Sequence, residues 1–586
     1  MNILWMVLQH AVASCADRGV EVKKLINDAN NVVPEMLEGI VRMSPGLALL
    51  QGQTVVLDQA SAALRQSGQV ALISGGGAGH EPAHAGYVGA GMLSAAVSGD
   101  VFTSPSVDAI LAAIRAVAGP GGVLLLVKSY TGDRLNFGLA AELARSEGIA
   151  AEMVVIGDDV SLPSGPDAGR RGIAGTVFVH KVAGAAAAAG LSLADVKAEA
   201  LAAATEVGSM GVGLSACTVP AAGRPGFELG DTEIELGLGI HGEAGVARTP
   251  LQTADRLVDL MLEKIVADRK IQPGERVTLL VNNLGGSPTM EMYIVARRAL
   301  AFLAESNIAV ERAWCGSFLT ALEMAGCSLS LMRLDDVRLS RLDAPTRAAA
   351  WPSSGSGKVF ALTGADAPVS PASPRPASAP PTAEAEAVRR AVFAVCAALK
   401  EAQDHLTDLD QVVGDGDIGI SLARGAMAIE SEFGGYDTSS AAAILRGISA
   451  TVRRAVGGTS GPLYAVFFLR GAAVLETRGT TDVSAWASAF KEGCQGISEL
   501  GGAAEGDRTM LDALIPAVQA LGQSGLTRDV LLHQMVQAAE NGRDKTARMM
   551  PRRGRSSYMG ARAVGHVDPG AAAAAIWLAA LEKAIA

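Results

Sequence analysis

Three aspartates lie within eight residues in the second half of the sequence. They are Asp410, Asp415 and Asp417, and glycine stands on both sides of Asp415. Because glycine lets the backbone fold back, the three carboxylates could converge on a hard cation such as Mg²⁺, which combines a few carboxylates with water and phosphate oxygens. The EF-hand pattern, with its later Glu, is missing. A solvated acidic turn is the alternative, and the cluster alone does not decide between the two.

Other loops in the same half favour phosphate chemistry. The glycine-rich run Gly457–Gly461 precedes an apolar helical segment, and backbone N–H groups at a helix start bind phosphate. Arg555 offers positive charge for a phosphoryl group in transfer, and Asp568-Pro569-Gly570 forms a turn that opens the last helix. The sequence contains no G-x-x-x-x-G-K-[ST] loop. If ATP binds, it therefore binds without a Walker loop.

In the first half, His241 has the sequence context of a reactive side chain. It lies in the run Gly237–Glu243, where flanking glycines let a ligand approach the backbone closely. A histidine in such a place can be a nucleophile or an acid–base group. The alternative is a hydrogen-bonded packing residue. His80 and Asp133 are the other two polar residues of interest, whereas we assign His84 and His180 to packing.

A dinucleotide-binding fold is not supported. The glycine run before His80 fails the G-x-G-x-x-G spacing in every register. Gly237, Gly239 and Gly242 fit that spacing, but no strand-then-helix context surrounds them.

Composition excludes several classes of function. The net charge of −11 argues against nucleic acid as a partner, because phosphate neutralisation needs clustered cations. The six cysteines are spread without a C-x-x-C pair, which predicts a reducing, cytoplasmic environment. No apolar stretch is long and charge-free enough to predict a membrane span. The first sixteen residues are apolar but lack the Lys or Arg of a signal peptide.

The sequence divides into four segments. Residues 1–22 are interpreted as an extension that is unstructured or reflects a start codon assigned too far upstream. Residues 23–352 alternate strand-like and helical patterns, which predicts an α/β domain. Residues 353–383, rich in Pro, Ala and Ser, form a linker, and residues 384–586 show helical periodicity throughout, which predicts an all-α domain. Four predicted strands run into glycine and polar residues, where ligands bind in open α/β sheets: Val70–Ile73, Val123–Val127, Met153–Ile156 and Val277–Val281.

Taken together and in this order, the motifs resemble the dihydroxyacetone kinase family in its single-chain, ATP-dependent form. The resemblance covers nearly the whole chain from Lys23 onward. The motifs that carry it are Ser74–Pro82, Phe102–Pro105, Tyr130–Asp133, Asn136–Gly138, Gly239–Glu243, Gly414–Asp417, Gly457–Tyr464, Gly506–Met510 and Gly554–Gly570.

The resemblance implies that the first domain, with two α/β subdomains, binds a short ketose. His241 would form a covalent hemiaminal with the substrate carbonyl carbon, a bond that glycerol cannot make. Asp133 and His80 would be the acid–base groups near the attacking hydroxyl. The residues that match substrate contacts are Gly77, Ala78, Gly79, His80, Lys128 and Asp133.

For the second domain, the resemblance implies a barrel of antiparallel helices that binds ATP. Asp410, Asp415 and Asp417 would hold two Mg²⁺ ions. The family usually forms homodimers. The residues that match nucleotide contacts are Ile418, Gly419, Ile420, Ser421, Thr459, Ser460, Gly501, Met510, Arg555, Asp568, Pro569 and Gly570.

Several alternatives remain open at this stage. Ala78, Ser129 and Ala244 depart from the family's usual residues beside the ketose pocket, so erythrulose or glyceraldehyde could replace dihydroxyacetone as substrate. Ile418 also differs from the residue that the family usually has at this position beside the nucleotide. Some relatives cyclise flavin adenine dinucleotide as FAD-AMP lyases. In phosphoenolpyruvate-dependent systems the related domains are separate subunits, and a non-catalytic ketose sensor would lack the three aspartates, which are present here.

Overall fold

The computed structural model of the protein describes residues 23–163, 169–352, 357–362, 364 and 383–585. The chain divides into two compact units between residues 364 and 365. The predicted extension 1–22 and most of the predicted linker 353–383 lie outside the described residues. The four segment boundaries therefore stay predictions.

The first unit contains two six-stranded sheets, each built from one stretch of sequence. In the first sheet, strands β3 to β6 are parallel neighbours in the order β4-β3-β5-β6, and β2 and β1 extend the β4 edge in antiparallel fashion. Its strands are β1 (Leu47–Leu49), β2 (Val55–Asp58), β3 (Ala71–Ala78), β4 (Ala95–Val101), β5 (Val123–Lys128) and β6 (Ala151–Ile156).

The second sheet has the order β11-β10-β12-β7-β8-β9 and is antiparallel except for the β10–β11 pair. Its strands are β7 (Val207–Gly213), β8 (Glu233–Leu236), β9 (Ala247–Pro250), β10 (Arg276–Asn283), β11 (Ala309–Gly316) and β12 (Gly326–Arg333).

Helices cover both faces of the first sheet, because its central strands are apolar on both sides. Ala71 and Ile73 of β3 pack with helices α3 and α4, whereas Leu72 packs on the opposite face with α5 and α6. Helices α7 and α8 pack on the second sheet. The helices of this unit are α1 (Val32–Met43), α2 (Ser61–Ser67), α3 (Val107–Val117), α4 (Thr131–Ser146), α5 (Thr176–Ala188), α6 (Leu193–Glu206), α7 (Ala254–Arg269), α8 (Thr289–Glu305) and α9 (Asp336–Asp343).

Strand β3 is longer than predicted, because the sequence analysis ended it before the glycine run. A Cβ on Gly75 would lie 2.3 Å from the Val97 carbonyl oxygen, and a Cβ on Gly77 would lie 2.6 Å from the Phe102 carbonyl carbon. The glycines therefore belong to the strand, where they allow β4 and the residues after it to pack closely.

All the described elements of the second unit are helical. Eight helices form a ring in which α10 packs on α12, each helix from α12 to α18 packs on the next, and α18 closes on α10. The ring surrounds an apolar cavity of about 460 Å³. The helices are α10 (Ala383–Glu401), α11 (Gln403–Val413), α12 (Ile418–Glu432), α13 (Ala441–Ala455), α14 (Ser460–Arg478), α15 (Val483–Gly501), α16 (Leu511–Leu521), α17 (Arg528–Thr546) and α18 (Pro569–Ile585).

The predicted fold class, an α/β unit followed by an all-α unit, is confirmed. Among the residues that the structure describes, no helix is long and apolar enough to cross a bilayer.

Candidate active site

His241 lies in the loop after β8, where Glu243 holds it at two points. The backbone N–H of His241 donates to Oε2 of Glu243 (3.0 Å), and Nδ1 of its ring lies 2.8 Å from Oε1. Burial would raise the pKa of Glu243, but the hydrogen bonds from His241 outweigh burial and lower that pKa to about 2. Because an ionised carboxylate only accepts hydrogen bonds, Nδ1 carries the proton. When the ring is neutral, its lone pair is therefore on Nε2, the nitrogen that Glu243 does not hold.

Three aromatic rings surround the His241 imidazole. The ring centroids of Tyr130, His80 and Phe102 lie 4.6, 4.9 and 5.1 Å from that of His241, and all three contacts are edge-on. The side chain of His241 keeps 19% of its surface exposed. The rings thus restrict the orientation of the imidazole, part of which stays accessible.

His80 follows β3 and is fully buried. Its Nδ1 lies 2.8 Å from the carbonyl oxygen of Thr320, which can only accept, so Nδ1 carries the proton. Burial, with a smaller contribution from the charge of Lys128, holds the pKa of His80 well below 6.5, so the ring is neutral. Nε2 is buried and has no hydrogen-bond partner among the described residues. A neutral ring with a free lone pair has the properties of a general base.

Lys128 and Asp133 approach the same glycine of β3. A Cβ on Gly76 would lie 3.0 Å from Nζ of Lys128 and 3.5 Å from Oδ2 of Asp133. Asp133 accepts a short hydrogen bond from Ser104. Burial lowers the pKa of Lys128, although Asp133 opposes the shift, and Nζ has no hydrogen-bond partner within the described residues. Since buried polar groups are normally paired, Nζ and Nε2 of His80 have the capacity to form further hydrogen bonds.

The three residues before His80 shape this pocket. Gly77 and Ala78 end β3, and Gly79 follows with φ +95°. The backbone N–H of Gly79 donates to both carboxylate oxygens of Glu81 at 3.1 Å. In this structure its N–H is therefore already paired within the loop.

His84 and His180, which the sequence analysis assigns to packing, are buried, and one ring nitrogen of each has no hydrogen-bond partner among the described residues. They lie 3.3 and 3.1 Å from Oγ of Ser74, whose hydroxyl donates to the Leu126 carbonyl (2.7 Å). Neither histidine ring contacts that of His241 in the described part of the chain.

In the second unit, the three predicted metal ligands come together. One carboxylate oxygen from each of Asp410, Asp415 and Asp417 lies within 4.8 Å of the other two. Oδ2 of Asp410 also accepts the N–H of Asp417 (2.9 Å), which folds the turn between α11 and α12 back on the helix end. Arg555 contacts Asp415 and lies 3.5 Å from Asp417. A set of hard oxygen donors that already attracts a cation fits Mg²⁺.

The glycine loop before α14 lies beside these carboxylates. A Cβ on Gly458 would be 3.6 Å from Oδ2 of Asp417 and 3.9 Å from Nη2 of Arg555, and one on Gly457 would be 3.6 Å from Oγ of Ser421. The loop is followed by Thr459 and by Ser460, the first residue of α14. The first turn of α12 (Ile418, Gly419, Ile420 and Ser421), the loop and Arg555 thus lie around one acidic cluster.

Of the other predicted nucleotide residues, Met510, Asp568, Pro569 and Gly570 form a second group. A Cβ on Gly570, beside Pro569 and Asp568, would be 3.5 Å from Cβ of Met510. Burial raises the pKa of Asp568 to about 6, with Arg508 at 4.0 Å. Gly501 is close to Leu463 of α14 rather than to either group.

Sequence reasoning assigned no role to three residues that organise these sites. Glu243 fixes the tautomer of His241, Thr320 fixes that of His80, and the fully buried Arg508 donates to the carbonyls of Thr546, Ala563 and His566. Glu243 was visible as a carboxylate two residues from the histidine. Nothing local signals the other two, because their partners are distant in sequence.

Comparisons with known proteins identify the family of the chain. Residues 38–350 match the Dak1 domain and residues 412–583 match the DAK2 domain. The chain is 44% identical to the triokinase/FMN cyclases of Bos taurus and Homo sapiens, in each case over 95% of this chain and 98% of the relative. It also resembles the crystal structure of the dihydroxyacetone kinase from C. freundii in complex with AMP-PNP and Mg²⁺, with a TM-score of 0.60 and 36% identity over 96% of this chain and 99% of that one.

Proposed function

This chain belongs to the single-chain dihydroxyacetone kinase family, and we propose that it transfers the γ-phosphate of ATP to dihydroxyacetone. It is a phosphotransferase with an alcohol acceptor. The observation that carries the choice of a ketose is the setting of His241. Glu243 holds its Nδ1, and its ring lies 4.9 Å from that of His80. Among the described residues, Nε2 of His80 and Nζ of Lys128 have no hydrogen-bond partner. An imidazole lone pair adds to a carbonyl carbon, which a polyol does not have.

In the proposed first step, Nε2 of His241 attacks C2 of the ketose. The C2–N bond forms as the C=O π bond breaks, and the carbonyl oxygen takes a proton from solvent to become the hydroxyl of a hemiaminal, while the ring becomes positively charged. Nδ1–H stays bonded to Glu243, which stabilises the positive charge that develops on the ring. Reversal of the same step releases the product. His241 therefore holds the substrate without being consumed.

In the second step, a terminal hydroxyl of the bound ketose attacks the γ-phosphorus. Nε2 of His80 accepts the hydroxyl proton, and Asp133 orients that hydroxyl from the Gly76 side of the pocket. Lys128 donates to an oxygen of the substrate. The γ-phosphoryl group leaves ADP and becomes the phosphate ester of the ketose.

Asp410, Asp415 and Asp417 are proposed to hold two Mg²⁺ ions with the nucleotide. When bound, the ions neutralise the charge on the phosphates and stabilise charge in the transition state. Arg555 adds positive charge at the same place, and the glycine loop before α14, which lies beside Asp417 and Arg555, would bind the phosphates through its backbone N–H groups. The three carboxylates carry a charge of −3, and the phosphates of ATP would supply the rest of the negative charge that balances two divalent ions.

We further propose a cytoplasmic homodimer. The five cysteines among the described residues are free thiols, as suits a reducing compartment. Leu135, Leu139 and Leu143 are exposed on one face of α4, at 66, 52 and 37% of their surface. Such an apolar stripe supports contact with a second copy of the chain.

Two other activities should be measured on the same protein, because relatives that are 44% identical are named triokinase/FMN cyclase. One is phosphorylation of glyceraldehyde or of a four-carbon ketose such as erythrulose. The other is cyclisation of flavin adenine dinucleotide in the second unit, where release of cyclic flavin phosphate in the presence of Mn²⁺ would reveal it.

The test is a coupled assay with ATP, Mg²⁺ and a panel of dihydroxyacetone, erythrulose, glyceraldehyde and glycerol. We expect the highest kcat/KM with dihydroxyacetone and no turnover with glycerol. Asp415→Asn should abolish turnover yet still bind ketose, whereas Asp408→Asn, an exposed aspartate outside the cluster, should behave as wild type. Equal rates with glycerol, or normal turnover by Asp415→Asn, would contradict the proposal.

A further inference from the structure

Two polar residues that the proposed reaction does not use form a buried ion pair beside the His241 loop. Asp159 follows β6 and is 1% exposed, and Arg171 is 8% exposed. Nε of Arg171 donates to Oδ2 of Asp159 (2.8 Å), and Oδ1 of Asp159 accepts from both the backbone N–H (2.9 Å) and the hydroxyl (2.6 Å) of Ser161. The carboxylate is thus bonded at both oxygens and holds the guanidinium in one orientation.

The other end of the guanidinium reaches the His241 loop. Nη2 of Arg171 donates to the carbonyl oxygen of Gly237 at 2.6 Å, and Oγ of Ser161 lies 3.2 Å from the same oxygen. Gly237, with φ +66°, is the first residue of the loop after β8. The ion pair therefore fixes the point at which the chain turns towards His241.

A second contact lies closer to the histidine. A Cβ on Gly239 would be 2.7 Å from Nη1 of Arg171 and would overlap the carboxylate of Glu243. The guanidinium therefore packs directly against the backbone of Gly239, which faces the carboxylate that sets the tautomer of His241. Only glycine fits between the two side chains.

We propose that Arg171, held by Asp159 and Ser161, is a positioning residue for His241 in the reaction with the ketose. This inference rests on the proposed function. Arg171 has no role in the chemical step itself: it fixes the loop at Gly237 and Gly239 so that Nε2 of His241 meets the carbonyl carbon. Misplacement of a reacting atom by about 1 Å can cost about 100-fold in rate, so such a clamp has a measurable effect.

The neighbouring residue supplies a matched control. Arg170 also forms an ion pair, with Asp268, and the side chains of that pair are 14% and 17% exposed. Its further hydrogen bond goes to the carbonyl of Leu162 (3.0 Å) and not to the His241 loop. Arg170→Lys and Arg171→Lys therefore make the same chemical change, one beside the loop and one away from it.

The experiment compares these two variants by steady-state kinetics and by hydrogen exchange. Lysine keeps the charge but cannot bond Asp159 and Gly237 together. For Arg171→Lys we expect kcat/KM for dihydroxyacetone to fall about 10- to 100-fold while KM for ATP stays unchanged, and amides 237–243 to exchange faster. Arg170→Lys should leave kcat/KM for dihydroxyacetone, KM for ATP and the exchange of amides 237–243 unchanged.

Ser161→Ala provides a second, milder variant in case Arg171→Lys does not fold. It removes one donor to Asp159 and no charge, and should lower kcat/KM for the ketose a few-fold in the same direction. The inference is overturned if these variants match wild type, or if KM for ATP changes as much as the ketose parameters. If wild type phosphorylates no ketose, the proposed function fails, and the exchange of amides 237–243 still decides whether Arg171 fixes the loop.

Discussion

The Glu243→Gln substitution tests the geometry of the ketose site most sharply, because it preserves shape and removes one charge. In wild type both carboxylate oxygens accept from His241, one from the backbone N–H and one from Nδ1–H. A glutamine amide has one acceptor and one donor. If the amide oxygen of the glutamine faces Nδ1–H of His241, the amide NH₂ faces the backbone N–H of His241, and two donors oppose each other. If the amide is reversed, its NH₂ favours the tautomer of His241 whose lone pair is on Nδ1, and Nε2 can no longer attack.

The size of the effect follows from the bond that is lost. A hydrogen bond to a charged group contributes about 1.5–3 kcal/mol. The Glu243 side chain is 36% exposed, so water weakens this charged hydrogen bond, and we take the lower end of the energy range. About 1.5 kcal/mol corresponds to roughly a tenfold fall in kcat/KM for dihydroxyacetone. KM for ATP should not change.

The assay varies dihydroxyacetone at saturating ATP and then varies ATP at saturating ketose. Glu235→Gln is the control. Glu235 also accepts from one backbone N–H, that of Gly245, and pairs with a cation, Arg248, but it contacts no histidine in the described part of the chain. A ketose kcat/KM for Glu243→Gln within twofold of wild type, or an equal loss in Glu235→Gln, would refute the reasoning.

Three further predictions concern charge. The pKa of Glu243 falls from 4.5 to about 2 in the folded protein. The contribution of the ionised carboxylate to stability is therefore complete above pH 4.5 and is lost as the pH falls towards 2. In acid denaturation, the difference in free energy of unfolding between wild type and Glu243→Gln should shrink across that pH range. Lys128→Met should raise the free energy of unfolding by about 1–3 kcal/mol, because it removes a buried amino group that has no hydrogen-bond partner among the described residues. The same change should weaken ketose binding. A melting curve and a ketose titration measure the two effects, and a fall in stability would contradict the prediction. Arg555→Gln should tighten Mn²⁺ binding to the nucleotide-free protein by no more than about fivefold, because the exposed ion pair of Arg555 with Asp417 competes with the ion. The same change should weaken ATP binding. Calorimetry measures the two affinities separately, and a change of both in one direction would contradict the prediction.

The sequence was sufficient for the fold class and located four of the twelve strands, β3, β5, β6 and β10. Apolar runs such as Val123–Val127 identify a buried strand because they are continuous and end at polar residues. The glycine run after Ile73 was misassigned, because glycine usually ends a strand, and only the close packing of Val97 and Phe102 explains its place inside β3.

Side-chain states depended on contacts that no local pattern encodes. The tautomer of His80 is set by Thr320, 240 residues away. Arg171 and Arg508 are charged residues in loops, where sequence reasoning expects exposure, yet each is buried because several hydrogen-bond acceptors converge on it. The acidic cluster was predictable, since its members are close in sequence.

The most direct test of the account is the bond between His241 and the ketose. Protein with ¹⁵N-labelled histidine is mixed with dihydroxyacetone labelled with ¹³C at C2, and one-bond ¹³C–¹⁵N coupling is measured by NMR. The account predicts coupling at a tetrahedral carbon in wild type and in the inactive Asp415→Asn variant, and none in His241→Gln. An actively phosphorylating wild type without that coupling, or coupling that survives in His241→Gln, would contradict it.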